Sequence, residues 1–157
     1  MGTRLWRKDL AWGERWERVI GLYLFFNGVS EITYNNDNLY DIKGVYKSNV
    51  TKFEIKSDRY KNTGNMALEI YDNGKLSGIS VSEADVFIYN YTNLSELYVY
   101  LFFIPLSELK KVLKDNESTL RVIKGGDDKE ASIILLPMAE YKKYFKVVKL
   151  PKVEWYM

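Results

Sequence analysis

Histidine and cysteine are absent from this chain, and proline occurs only three times in 157 residues. Without cysteine there are no disulfides, no thiolate zinc sites and no thiol nucleophile. Without histidine there is no imidazole general base, no Ser-His triad and no His-metal motif. No apolar run reaches the roughly 18 residues that a membrane-spanning helix needs. The longest apolar-rich stretch, Leu97 to Leu106, suits a buried strand. The opening residues, MGTRLWRKDL, lack the continuous apolar region of a signal peptide, so an intracellular, cytoplasmic protein is expected.

What remains describes a folded domain with limited chemistry. Hydrophobic residues make up 46% of the chain and charged ones 28%, which places it among globular proteins, not disordered ones. Its length fits one domain with a real core. A net charge of +2 is too small to announce nucleic-acid binding by itself, although basic walls around an acidic centre cancel in the total. Any hydrolytic chemistry here must run on carboxylates, Lys, Tyr and a hard metal ion. Thirteen Tyr beside many Lys, Asn and Ile suit an AT-rich or thermophilic genome, such as that of an archaeal virus.

Along the chain, apolar residues at Trp12, Trp16, Val19, Ile20, Tyr23 and Leu24 recur at helical spacing and predict a helix from Trp12 to Phe26, stopped by Asn27-Gly28. Val29 to Tyr34, Leu39 to Lys43, Val50 to Ser57 and Met66 to Tyr71 read as strands, with turns at 35–38 and Asp72-Asn73-Gly74. Ser80 or Ser82 can cap a helix from Glu83 through Tyr89. Leu97 to Ile104 reads as a strand and Ser107 to Asp115 as a short helix. Thr119 to Ile123 and Ala131 to Leu136 flank a hairpin, and Pro137 opens a last helix to about Phe145. The expected class is α+β, a single domain (1–157) with a central mixed sheet flanked by helices.

The most telling run is Phe53-Glu54-Ile55-Lys56. On a strand, Glu54 and Lys56 share one face, with Phe53 and Ile55 on the other. A second carboxylate, Asp41, stands thirteen positions before Glu54. Phosphodiester cleavage needs an activated water, a neutralised phosphate and help for the leaving oxyanion, and divalent cations held by carboxylates supply all three. An E-x-K triplet is a weak signal alone, since Glu108-Leu109-Lys110 repeats it on an expected helix. The strand context and the upstream acid raise the first one above chance.

The stretch resembles the PD-(D/E)xK nuclease superfamily, the fold of many restriction enzymes, Holliday-junction resolvases and phage exonucleases. EIKSDRYKNTGNMALEI followed by GKLSGISVSEADVFIY is similar to a group of phage and viral members, over about a third of the chain from Asp41 to Tyr91. The resemblance implies a restriction-endonuclease-like core order: a leading helix, three strands, then helix and strand. It implies that Asp41 and Glu54 hold Mg²⁺ or Mn²⁺, that the Ile55 carbonyl points at the metal, and that Lys56 orients or activates the water. The Pro usual before the first acid is replaced by Tyr40, which makes Asp37 the second candidate for that role. A helical glutamate often joins the metal cluster; Glu17 or Glu14 fits, although acids on an amphipathic helix commonly face solvent.

Glu83 is the reserve ligand or catalytic acid, with Glu69 and Asp85 as further acids nearby in sequence. Arg59, Lys61, Asn62, Asn65 and Lys75 form a polar, basic flank suited to phosphate contacts. The expected function is a metal-dependent deoxyribonuclease acting on DNA, with a homodimer as the arrangement that cutting both duplex strands commonly needs. The alternative is a non-catalytic nucleic-acid-binding or assembly module with a degenerate site.

Overall fold

The computed structural model describes residues 4–58, 63–92, 98–125 and 129–151, the side chains of 4–10 and 92 aside. Its first element, α1 (Arg4–Phe26), is longer than its apolar stripe. Trp16, Val19, Ile20 and Leu24 recur at steps of three to four and are buried. The helix ends where glycine allows it to. Gly28 takes φ +97°, its N–H bonds the Phe25 carbonyl at 3.3 Å, and the Val29 N–H bonds the Leu24 carbonyl at 2.9 Å. These two bonds are the Schellman pattern, which satisfies carbonyls left over at a helix end.

Six strands form the main sheet. β1 (Ser30–Tyr34), β2 (Ile42–Tyr46) and β3 (Asn49–Asp58) are an antiparallel meander. β2 and β3 join through Lys47 and Ser48, both at positive φ (48° and 65°), the hairpin geometry whose twist matches the strands. A second sheet starts with β4 (Asn65–Asp72) and β5 (Lys75–Leu76), turned by Asn73 and Gly74. A 3-10 turn at Gly78–Ser80 returns the chain to β6 (Val86–Thr92), which lies parallel to β3. β7 (Tyr98–Pro105) pairs with β6, and α2 (Leu106–Asp115) follows directly. β8 (Arg121–Gly125) and β9 (Ala131–Pro137) join the second sheet through β4. A short α3 (Met138–Tyr141), a 3-10 turn at Lys142–Tyr144 and β10 (Lys146–Pro151) complete the described chain. The sheet orders are β1-β2-β3-β6-β7-β10 and β5-β4-β9-β8.

Two cores lie on opposite faces of the main sheet. One, beneath α1, collects Trp16, Ile20, Ile42, Phe53, Ile88, Val99 and Leu101. The other, toward the second sheet and α2, collects Phe87, Tyr89, Phe102, Ile104, Leu68, Leu109 and Leu136. Strands β6 and β7 supply both cores from alternate residues, as a strand buried on two faces must. The two cores therefore cannot part, and the α+β chain is one domain. No helix of the described residues is long and apolar enough to cross a membrane.

Three expectations are corrected. Glu83 to Tyr89 is not a helix: Val86–Thr92 is the central strand β6. Its run of β-branched and aromatic residues is buried on both faces, where a helix would need a polar side. The strand expected at Leu39 to Lys43 starts at Ile42, so Asp41 stands just before it. The closing helix is α only to Tyr141 and continues as 3-10 to Tyr144, and an unexpected strand follows at Lys146. The mixed sheet and flanking helices stand, and the tip of the expected 119–136 hairpin, residues 126–128, lies outside the described residues.

Trp16 is fully buried on the face of α1 that meets the sheet. Trp16→Ala should cost about 3–5 kcal/mol in urea unfolding; a loss under about 1 kcal/mol would contradict this packing.

Candidate active site

The site is built where the β2–β3 ladder runs out. At Asp41 the backbone still pairs, its N–H donating to the Phe53 carbonyl at 2.9 Å. One step further, side chain replaces backbone: Asp41 Oδ2 accepts the Ile55 N–H at 2.7 Å. This bond seats Asp41 beside Glu54. On β3, Phe53 and Ile55 belong to the core beneath α1, so alternation turns Glu54 and Lys56 to the opposite face. Glu17 lies on α1, one residue after the buried Trp16, and its charge is felt at Glu54.

Burial raises all three acids, and neighbouring carboxylates raise Glu54 and Glu17 further. Burial pushes Glu54 up to about 8; the Asp41 charge adds to this, the Ser82 hydrogen bond opposes it, Glu17 raises it further and Lys56 lowers it. Burial also pushes Glu17 up to about 7, with Asp41 and then Glu14 adding to it and Arg18 opposing. Asp41 is raised by burial as well, against the Ile55 hydrogen bond. The Asp41 charge thus raises both Glu17 and Glu54, and Glu17 raises Glu54 further, in partly desolvated surroundings.

Asp41 and Glu54 open onto a cavity of about 360 Å³ lined by five carboxylates, Asp37, Asp41, Glu54, Glu69 and Asp72, and Glu17 is not among its lining residues. Ser77 and Gly78 form part of its wall. Gly78 has φ +52°, and a Cβ there would stand 2.4 Å from the Glu69 carbonyl oxygen. Only glycine lets the crossover pass that close to β4. Among the described residues, no three of these acids converge into a group that could hold a metal ion. They share a cavity and a field without forming a closed coordination sphere. Their oxygen donors nevertheless fit Mg²⁺ or Mn²⁺ by chemistry, and their unbalanced charge is what a divalent cation would neutralise.

The other expected residues divide. Asp37 lines the cavity, but its Oδ1 accepts the Leu39 N–H at 2.8 Å and so serves the loop. Lys56 is exposed and near enough to influence Glu54. Glu83 is not brought in: it lies outside the cavity lining, 4.0 Å from the Lys52 ammonium. Asp85 Oδ2 accepts the Lys52 N–H at 2.8 Å, a link between segments. Asn65 lines a different cavity with Thr119 and Arg121. Lys75 is exposed on β5 and pairs in register with Asp72. Glu14 is exposed, and Arg59, Lys61 and Asn62 lie outside the described residues.

Sequence reading missed two contributors. Asp72, taken only for a turn residue, lines the cavity. Ser82, taken for a helix cap, sends its Oγ to Glu54 Oε2 at 3.0 Å. No spacing rule connects residues 54 and 82; the parallel pairing of β3 with β6 does.

Glu17 and Glu54 bind protons more tightly in the folded chain than at their ordinary value of 4.5. The folded state then holds more protons than the unfolded one, so stability falls as pH rises through that window. Melting of the metal-free protein should occur at progressively lower temperature from about pH 5 to about pH 8, and Glu17→Gln with Glu54→Gln should flatten the slope. A melting temperature that rises over this range would contradict the site's electrostatics.

No family model, curated protein or solved structure matches the chain, so the functional reading rests on the site itself.

Proposed function

We propose that the chain is a Mg²⁺- or Mn²⁺-dependent deoxyribonuclease with its centre at Asp41, Glu54 and Lys56, supported by Glu17. The observation that carries this reading is that Asp41 and Glu54 line one cavity, with Asp41 bonded to the Ile55 N–H next to Glu54, beside a lysine on the same strand face as Glu54. The order of elements supports it too. A leading helix, a three-strand meander and a parallel strand beside β3 follow the nuclease core order, with β4, β5 and a 3-10 turn where that order has a helix.

Asp41 and Glu54 would hold the cation, and Glu17 would approach it from α1. The cation supplies charge neutralisation at the scissile phosphate and a more acidic water. Lys56 holds the attacking water and faces the negative charge that builds on the phosphate. The low-polarity surroundings that raise the acids also strengthen each of these interactions. DNA would approach the open side of the cavity, with Lys56 on β3 and Lys75 on β5 as exposed basic residues on the strands that border it.

A second reading keeps DNA contact without cleavage. The failure of the acids to converge into a closed group favours it.

Purified protein incubated with labelled linear duplex DNA separates the two. With Mg²⁺ or Mn²⁺ the wild type should cleave, and EDTA should stop it. Glu54→Ala and Lys56→Ala should each lower the rate by about 10²–10⁴-fold. Salt-sensitive DNA binding with no metal-dependent product would favour the second reading, and full activity in both variants would overturn the residue assignment.

A further inference from the structure

We propose that Ser82 is a positioning residue that fixes the Glu54 carboxylate relative to Asp41; this rests on the nuclease reading of the same site. Ser82 is only 6% exposed, a buried hydroxyl in the last stretch of the crossover before β6. Its Oγ stands 3.0 Å from Glu54 Oε2 and 3.1 Å from the Leu39 carbonyl. It also accepts the Ala84 N–H at 3.2 Å. Leu39 is two residues before Asp41, in the loop that delivers it to β3.

The contacts close a ring. Ser82 touches Glu54; the next residue on β3, Ile55, donates its N–H to Asp41; and Asp41 leads back through Tyr40 to Leu39 and Ser82. The two acids are thus held to each other twice, once across the strand ladder and once through this hydroxyl.

A hydroxyl has one proton and here faces two acceptors. The Leu39 carbonyl has another donor, the Glu83 N–H at 2.7 Å. The Ser82 proton can therefore go to the Glu54 carboxylate without leaving Leu39 unsatisfied. That bond holds one Glu54 oxygen against the crossover and leaves the other oxygen for a cation. Hydrogen-bonding partners behind a metal ligand act in this way, and losing one typically costs about 10–100-fold in metal affinity or activity.

The test compares wild type, Ser82→Ala and Ser82→Thr, with Mn²⁺ as the probe. Each protein is first checked for a cooperative melt. The Mn²⁺ concentration giving half-maximal thermal stabilisation is then measured, followed by kcat and KM on linear duplex DNA. Ser82→Ala should need about ten-fold more Mn²⁺ or greater and lose about 10–100-fold in kcat, with KM for DNA little changed. Ser82→Thr keeps the hydroxyl and should recover much of both. A folded Ser82→Ala variant with wild-type Mn²⁺ dependence and kcat overturns the positioning role alone. A wild type that neither cleaves DNA nor is stabilised by Mn²⁺ overturns the nuclease reading and this inference with it.

Discussion

The parallel pairing of β3 with β6 is the constraint on which the rest of this structure depends. Antiparallel neighbours can be joined by a two-residue turn, but parallel ones need a crossover. Here the crossover makes a strand, a tight Asn73-Gly74 turn, a second short strand and a 3-10 turn, where a helix would be the usual connection. The first of those strands starts the second sheet, which covers the β6–β7 side of the main one. The cavity follows from this arrangement. One wall is the crossover, with Glu69, Asp72, Ser77 and Gly78; the other carries Asp41 and Glu54.

The same arrangement concentrates negative charge. Burial and mutual repulsion hold Glu17 and Glu54 in their protonated forms well above the ordinary carboxylate range. Such a cluster is costly for a fold that needs only stability, and perturbed carboxylates in a cleft are a common mark of function. The Ser82 hydroxyl and then Lys56 offset part of the effect at Glu54, and the Ile55 N–H offsets part of it at Asp41. Under the proposed function, a divalent cation takes the place of the protons. Chemistry and stability then draw on the same groups, and a substitution that removes an acid can stabilise the metal-free chain while it disables the site.

Much of this was legible in the residues, and what was not has physical reasons. The three-and-four spacing of Trp16, Val19, Ile20 and Leu24 foretold α1 and its buried face. Alternation along Phe53 to Lys56 foretold the two faces of β3, and with them the place of Glu54. Helical spacing places Glu17 on α1, and its half-buried position, outside the cavity lining, depends on how α1 sits on the sheet. The segment Glu83 to Tyr89 suggests a helix because Ser80 or Ser82 followed by Glu83 resembles a helix start, yet Val86–Thr92 is a strand. Its fully buried aromatic run carries no period that separates strand from helix, and its β-branched and aromatic character was the better guide. Ser82 and Asp72 were invisible as site residues because their contacts with the site arise only in the tertiary fold.

The central claim, that carboxylates from separate segments make one cation-binding centre, is tested most directly by an anomalous difference map from crystals grown with Mn²⁺ near pH 8.5. The account predicts a peak about 2.1 Å from oxygens of both Asp41 and Glu54. A peak that touches neither residue, or no peak at saturating Mn²⁺, would contradict it.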